Sequence, residues 1–379
     1  MWRTASILIG AVLILLTLGI VMLASTSVEL AQARYHNPNY FLIRQGLWLV
    51  VALIGAVAAA RLDYHGYQWA APPLLLFSIA LLAMTVIPGV GIEVNGSRRW
   101  LRAGALTFQP SELAKPAAVL WLAWWLRRSR RHVETAMYGL ILPALPLAVM
   151  LGLIFIEPDF GTTLLIALVA GLVLFAGGAR LGHLLIAAAL GFSAFALAIF
   201  QDPVRMRRIL SFLDVEKYAQ KEGFQLMQAL LAFVAGGGAG AGLGQGLQKR
   251  FYLPEAHTDF IFAIIGEELG IVGTLSVLLL FLTLFVCGMR IAYGAPDFFG
   301  RLIAYGLTIM ITLQALINIG VVTGCLPTKG LALPFISYGG SNLLVNGIMV
   351  GILVNIARHA ADGVEDDDLR DIKDRLRSL

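Results

Sequence analysis

The sequence predicts an all-α, polytopic membrane protein of about ten transmembrane helices, with a long extracytoplasmic loop between the seventh and the eighth. Three observations predict it. Hydrophobic residues make up 59% of the 379 and charged residues only 13%, where a soluble domain carries roughly 25% charged residues. The mean hydropathy is +0.81. Apolar stretches long enough to cross a bilayer core as helices recur near 4–24, 42–60, 69–87, 111–126, 137–156, 161–178, 182–200, 260–289, 301–324 and 335–357.

Most of the chain therefore cannot sit in water, and no nucleic-acid partner is expected. The first apolar run is longer than the roughly 7–15 residues of a signal-peptide core. It reads as a retained helix, although Ala31-Gln32-Ala33 resembles a cleavage site. Cys287 and Cys325 lie in or beside predicted spans. Two cysteines make no disulfide framework, and both read as apolar filler.

Short loops rich in Lys and Arg stay in the cytoplasm. The block Arg127, Arg128, Arg130 and Arg131 follows the fourth span. Placing it inside puts both termini in the cytoplasm, together with Arg3, Arg61, Arg180, Arg290, Arg301 and Arg358. Two outer segments break the rule. Residues 88–110 carry Arg98, Arg99 and Arg102, and residues 201–259 carry seven Lys and Arg. The longer can translocate regardless of charge. The shorter needs a reason: either an anionic ligand, since the arginine fork donates paired hydrogen bonds to phosphate, or anionic lipid headgroups.

Within 201–259, the run Phe224–Val234 is too short to span and reads as a re-entrant or interfacial helix. The glycine-rich stretch 236–246 reads as a flexible hinge in preference to a phosphate nest. One membrane domain, 1–358, is followed by a solvated cytoplasmic tail, 359–379, with an acidic run at Glu365–Asp368.

Ionisable residues in a membrane cost about 2.5–3.5 kcal/mol at a helix centre, so each is a functional candidate. In Gln109-Pro110-Ser111-Glu112-Leu113-Ala114-Lys115, Ser111 suits an N-cap and Pro110 a helix start. Glu112 and Lys115 are then one turn apart, either as a self-satisfied pair or with Lys115 extending an outer phosphate site. In Glu157-Pro158-Asp159-Phe160-Gly161, Asp159 is a turn former or a site residue. In Leu253-Pro254-Glu255-Ala256-His257-Thr258-Asp259-Phe260, Asp259 sits at the mouth of the eighth span. Partial desolvation there suits a general base, and an N-cap is the alternative. Of the adjacent Glu267 and Glu268, at least one must face the interior or a cation. No cluster has metal-ligand spacing.

Three blocks carry a resemblance to the SEDS proteins, the FtsW, RodA and SpoVE group. They are Val94–Leu101 with Gln109–Lys115, Leu253–Gly270, and Leu326–Ser341. The wording of "Pro-Glu-Ala-His-Thr-Asp" and "Leu-Pro-Thr-Lys-Gly" is closest to the FtsW branch. The resemblance spans about Ile7 to Ala357.

It implies a peptidoglycan glycosyltransferase of the bacterial inner (plasma) membrane, with its active site on the extracytoplasmic side. The implied substrate is lipid II, a disaccharide-pentapeptide on undecaprenyl pyrophosphate. The implied partners are a class B penicillin-binding transpeptidase of the FtsI type and other divisome proteins. Asp259 matches the family's outer-loop aspartate and is expected to act as general base. Arg99, Lys115 and Arg44, with Arg98 and Arg102 behind them, are expected to stabilise the leaving pyrophosphate, and Glu112 to hold Lys115 or position Asp259. Gln109, Ser111, Asp159 and Ser341 are expected to line the site. No cofactor is required, although a divalent cation, Mg or Mn, could assist. The alternatives are a lipid II flippase and a RodA-like elongation polymerase.

Overall fold

A computed structural model describes residues 1–94, 97–103, 106–201, 203–221, 223–250 and 252–377. The chain runs α1 (Trp2–Tyr35), α2 (Tyr40–Arg61), a 3-10 turn (Tyr64–Gly66) and α3 (Tyr67–Val86). Three strands follow, β1 (Gly91–Val94), β2 (Ser97–Ala103) and β3 (Leu106–Phe108). Then come α4 (Pro110–Arg128), a π-helical turn (Met137–Ile141), α5 (Leu142–Ile156), α6 (Phe160–Ala176) and α7 (Leu181–Phe200). Two shorter helices, α8 (Pro203–Leu213) and α9 (Phe224–Gly236), precede α10 (Ile261–Tyr293), α11 (Phe298–Val322) and α12 (Gly340–Arg377).

Among the described residues, seven helical segments are long and apolar enough to cross a bilayer: those of α1, α2, α3, α5, α10, α11 and α12. The other three expected spans fall on α4, α6 and α7. α4 is interrupted by Glu112 and Lys115, and Phe160–Ala176 has 17 residues.

The lipid-facing helices and the central ones divide by burial. The apolar windows of α11 and α12 are 72% buried, against 22% for α2 and 28% for α3 and α5. α4 buries Ser111, Glu112, Lys115 and nearly every residue from Ala114 to Leu120. α4, α11 and α12 therefore form the middle of the bundle. This explains why α4 can carry charge: its polar groups face protein, the arrangement that intramembrane charges require. α7 has no buried side chain among those described and sits at the edge of α6.

The segment 88–110, expected as a plain loop, is an antiparallel three-stranded sheet in the order β1-β2-β3. Its register runs Ile92↔Trp100, then Glu93↔Arg98, which leaves Arg99 as the extra residue of a bulge in β2. Bulges re-aim the side chains they carry, and Arg99 is the one re-aimed here.

The stretch 236–246 corrects the hinge expectation. It is a packed cover over the N-terminal part of α10. The amides of Ala241 and Gly242 donate to the carbonyls of Glu267 and Glu268 at 2.9 and 3.0 Å. The Gly244 amide donates to Glu268 Oε2 at 3.0 Å, and the Leu247 and Gln248 amides to Glu267 Oε1 at 2.7 and 3.1 Å. Lys249 Nζ reaches Glu268 Oε1 at 2.7 Å, and Ser25 Oγ of α1 donates to the same carboxylate at 2.8 Å. Both acids are buried, as at least one had to be. The nest in this loop holds the protein's own carboxylates. α10 breaks beneath it at Gly270, whose φ of 63° and ψ of −156° are open only to glycine. The expected single span is thus a short first helix, Ile261–Leu269, and a longer second one.

Candidate active site

Asp259 precedes α10 but does not cap it. Phe260 holds the cap position without a side-chain bond, so the N-cap alternative is not realised. The loop is fixed by its own carbonyls. Ser337 Oγ donates to Thr258 O at 2.6 Å, the Tyr338 amide to His257 O at 3.0 Å, and Asn318 Nδ2 to Asp259 O at 2.8 Å. Asn318 also donates to Leu331 O at 2.6 Å, tying this loop to the segment before α12. The Asp259 carboxyl itself accepts no hydrogen bond among the described residues and lies against Gly330. Its pKa is pushed up to about 7. Burial is the largest cause, the charges of Glu255 and Asp159 add to it, and Arg99 opposes it.

The facing wall is the turn between α5 and α6. Arg99, aimed by the bulge, donates from Nε to Glu157 O at 2.8 Å and from Nη2 to Pro158 O at 2.6 Å. Asp159 is the turn former, and its carboxylate also reaches the neighbouring polar groups. Its carboxylate caps α6 through the Thr162 amide at 3.2 Å and Thr162 Oγ1 at 3.0 Å. It also takes Gln109 Nε2 at 3.4 Å. Gln109 continues the chain, donating to Ser111 Oγ at 2.9 Å and, from its amide, to Ser341 Oγ at 3.0 Å. The four expected lining residues thus form one connected polar strip. Ser111 is not the N-cap, however. Gln109 holds that position, and Ser111 stands in the first turn, fully buried.

Lys115 is placed differently from the expectation that it extends an outer phosphate site. It is 0% exposed, and its Nζ meets Glu112 Oε1 at 2.8 Å and Gln314 Oε1 at 2.9 Å. Glu112 Oε2 accepts from Asn342 Nδ2 at 3.0 Å, and Gln314 Nε2 donates to Ala332 O at 2.7 Å. Glu112 therefore holds Lys115, one of the two roles expected. Together they form a buried belt across α4, α11 and α12, since a charge this deep is stable only when paired and fully hydrogen-bonded.

The family-level pattern and the geometry now coincide. The chain matches the family model described as "Cell cycle protein", the FtsW/RodA/SpoVE model, over residues 5–362. The chain belongs to the FtsW/RodA/SpoVE family. It is 44% identical over 352 residues to the probable peptidoglycan glycosyltransferase FtsW of Nitrosococcus halophilus, covering 92% of this chain and 91% of that one. It is 43% identical to the protein of the same name from Legionella pneumophila, covering 92% and 89%. Among solved structures, it is similar to a chain of a peptidoglycan synthase complex that coordinates polymerization and crosslinking. The TM-score there is 0.78 at 30% identity, over 93% of this chain and 97% of that one. The rod shape determining protein RodA of Thermus thermophilus matches with a TM-score of 0.67 at 28% identity, over 93% and 95%.

In this FtsW/RodA/SpoVE chain the remaining arginines occupy separate places. Arg44 of α2 donates to Tyr40 OH at 2.7 Å. It lines a cavity of about 140 Å³ with Trp48, Trp100, Thr107, Thr258 and Tyr338. Arg98 is exposed and pairs with Glu93 at 3.4 Å, and Arg102 is exposed opposite Thr107.

Two ionisable groups beside Asp159 escaped the sequence reading. Lys329, half-buried beside the Phe195 ring, has its pKa lowered by burial, while Asp159 acts to raise it. Its signal was its place in the third motif block, next to the Gly330 that touches Asp259. Glu157 is 2% exposed, accepts a short hydrogen bond from Thr85, and leaves Oε2 without a partner among the described residues. Burial pushes its pKa to about 7, with Thr85 opposing and Asp159 adding. A turn of the form Glu-Pro-Asp carries no mark that its first acid is buried.

Proposed function

We propose that this chain polymerises lipid II into β-1,4 glycan strands on the outer face of the bacterial inner membrane, in the septal role of the FtsW branch. The observation that carries the proposal is Asp259: a half-buried carboxylate without a hydrogen-bond partner among the described residues, with a pKa near 7, facing Arg99 and Asp159. Such a group can accept a proton at neutral pH. Asp259 takes the proton from the acceptor GlcNAc 4-hydroxyl as that oxygen bonds to C1 of the donor MurNAc. The bond from C1 to the pyrophosphate oxygen breaks with its electron pair, and undecaprenyl pyrophosphate leaves. One inversion turns the α-linked donor into a β bond, so no covalent enzyme intermediate is needed.

The leaving group gains charge, which fixed cations stabilise best where water is excluded. Arg99 and Lys329 stand on the Asp159 side of Asp259, and Arg44 on the Thr258 side. Exposed Arg98 and Arg102 would draw the anionic substrate in rather than bind the reacting phosphates. Among the described residues no group of three or more His, Cys, Asp or Glu side chains is placed to hold a metal ion. A divalent cation, Mg or Mn, would enter on the pyrophosphate. The similarity to a chain of a peptidoglycan synthase complex supports a crosslinking partner, here a class B transpeptidase of the FtsI type. The flippase alternative calls for charges along a path across the bilayer, whereas Glu112, Lys115 and Glu268 are held in internal ion pairs and Glu267 by backbone amides. The FtsW names of the relatives at 43–44% identity favour the septal branch over the RodA-like one.

The test is glycan-chain formation from purified lipid II in liposomes by wild type and Asp259→Asn. Each is assayed with and without a transpeptidase inactivated for crosslinking. Polymer from wild type and none from an equally folded variant is the expected result. No polymer from either, with the partner present, would overturn the reading and make a flipping assay the next measurement.

A further inference from the structure

The cavity at Arg44 does not stand alone. It lies at the outer end of the seam between α2 and α12, bounded by Arg44 and Trp48 on one helix and by Gly339 and Gly340 on the other side. The Trp48 indole occupies the place where a Cβ on Gly340 would stand. On its inner side Trp48 packs against Ala52 and Leu343, with Leu16 and Leu49 beside them. Those four residues open a second space, a wholly apolar groove of about 180 Å³ between α1, α2 and α12. Its walls continue along the seam through Leu53, Ala56 and Val57 on α2 and Val350 and Val354 on α12. Leu13, Leu53 and Val57 are about half exposed, at 50%, 43% and 50%, so the groove opens sideways toward lipid.

The seam thus has a polar head and an apolar body, divided by one tryptophan. The head carries a guanidinium, two indoles, a phenol and two threonine hydroxyls. The body runs from Trp48 toward Ala60. From Arg44 to Ala60 the helix rises roughly 24 Å at 1.5 Å per residue, most of the roughly 30 Å hydrocarbon core. A ligand matching this profile is an anion on a long hydrocarbon. Arginine is the residue suited to phosphate, and the head cavity is walled by Thr258, the neighbour of Asp259.

We propose that the α2–α12 seam binds a polyprenyl pyrophosphate, with its phosphates at Arg44 and its chain in the groove below Trp48. The choice of a polyprenyl chain over a phospholipid rests on the glycosyltransferase reading. The seam then gives one of the two lipid-linked sugars a berth of its own, on the Thr258 side of Asp259. Arg99 and Lys329 serve the other from the Asp159 side. A polymerase joining two lipid-linked molecules needs both tails to leave the site without crossing, and the seam provides an exit for one of them.

The test reads binding and not polymerisation. The full chain carries a photo-crosslinking residue at Leu53, inside the groove, or at Ile54, which is 65% exposed and does not line it. It is placed in phosphatidylglycerol liposomes containing a small fraction of undecaprenyl pyrophosphate, and adducts are weighed by mass spectrometry. The expected result is polyprenyl adduct at position 53 enriched about tenfold over position 54, relative to phospholipid adduct. Arg44→Gln should remove most of that enrichment, since a charge-assisted contact of this kind is worth about tenfold in affinity. Monodisperse protein that still gives phospholipid adduct shows the variant is folded. Equal enrichment at 53 and 54 would mean an ordinary bilayer lipid and overturn the proposal, as would labelling indifferent to Arg44. If the seam labels as expected while glycan synthesis fails, the lipid site stands and the polymerase reading falls.

Discussion

Gly330 presses against Asp259: a Cβ added at Gly330 would lie 2.6 Å from Oδ2 of the carboxylate. The pair joins the segment before α12 to the loop before α10 at the atom proposed to take the proton. Gly330→Ala must therefore displace the carboxylate. Because small misplacements of a reacting group cost on the order of 10²-fold, polymerisation should fall by about that factor. The thermal midpoint should change little, since Gly330 is exposed. A lipid II polymerisation assay beside a melting curve checks both.

The rate should follow the ionisation of Asp259. With a pKa of about 7, the carboxylate is the minor form below neutrality. Activity should rise about tenfold per pH unit up to pH 7 and level off above it. Arg99→Gln removes a charge that favours the ionised form, so the plateau should shift to higher pH. A pH–rate profile of the two proteins tests this, and an unmoved profile in the variant would remove Arg99 from the electrostatics of the base.

Glu157 should make the protein less stable as pH rises. Its pKa goes from an ordinary 4.5 to about 7 in the fold, chiefly through burial. Below 4.5 both states are protonated and nothing is lost. Between 4.5 and 7 the unfolded chain ionises first, and above 7 the full penalty remains, about 3 kcal/mol at 1.36 kcal/mol per unit. Glu157→Gln should therefore melt higher than wild type at pH 8, with the difference fading toward pH 4.

Lys115→Met separates a structural lysine from a phosphate-binding one. Removing one member of a buried pair costs roughly 3–5 kcal/mol, because Glu112 is left charged between α4 and α12. The single variant should lose folded protein, and adding Glu112→Gln should restore much of it. Recovery of the fold with a raised substrate requirement would instead place Lys115 at the phosphates.

Gly270→Ala should also act through folding. The position has φ 63°, and a Cβ added there would lie 2.6 Å from Gly238 O, so a side chain meets both strain and a clash. Reduced yield of monodisperse protein is the expected outcome.

The sequence made the membrane class, the approximate spans and the family motif that carries Asp259 legible, because length and apolarity are read directly and the motif around 253–270 is long. It did not reveal the sheet. Ser97–Ala103 alternates too weakly, with three arginines in seven residues, for a period of two to stand out. The bulge that aims Arg99 is invisible without the partner strand. Glu112 and Lys115 were found as a pair, but their depth depends on Gln314 and Asn342, 199 and 230 residues further along the chain. The glycine run was misread because flexibility in isolation becomes close packing once Glu267 and Glu268 are there to receive its amides.

The loop bearing Asp259 is clamped through the carbonyls of His257, Thr258 and Asp259. A grip on main-chain atoms is indifferent to the side chains of the residues it grips. Changes at Glu255, whose charge acts on Asp259, or at Thr258, which lines the Arg44 cavity, can therefore retune the surroundings of the base without releasing the loop. Ser337 and Asn318, which never touch the reaction, are the ones a redesign has to keep.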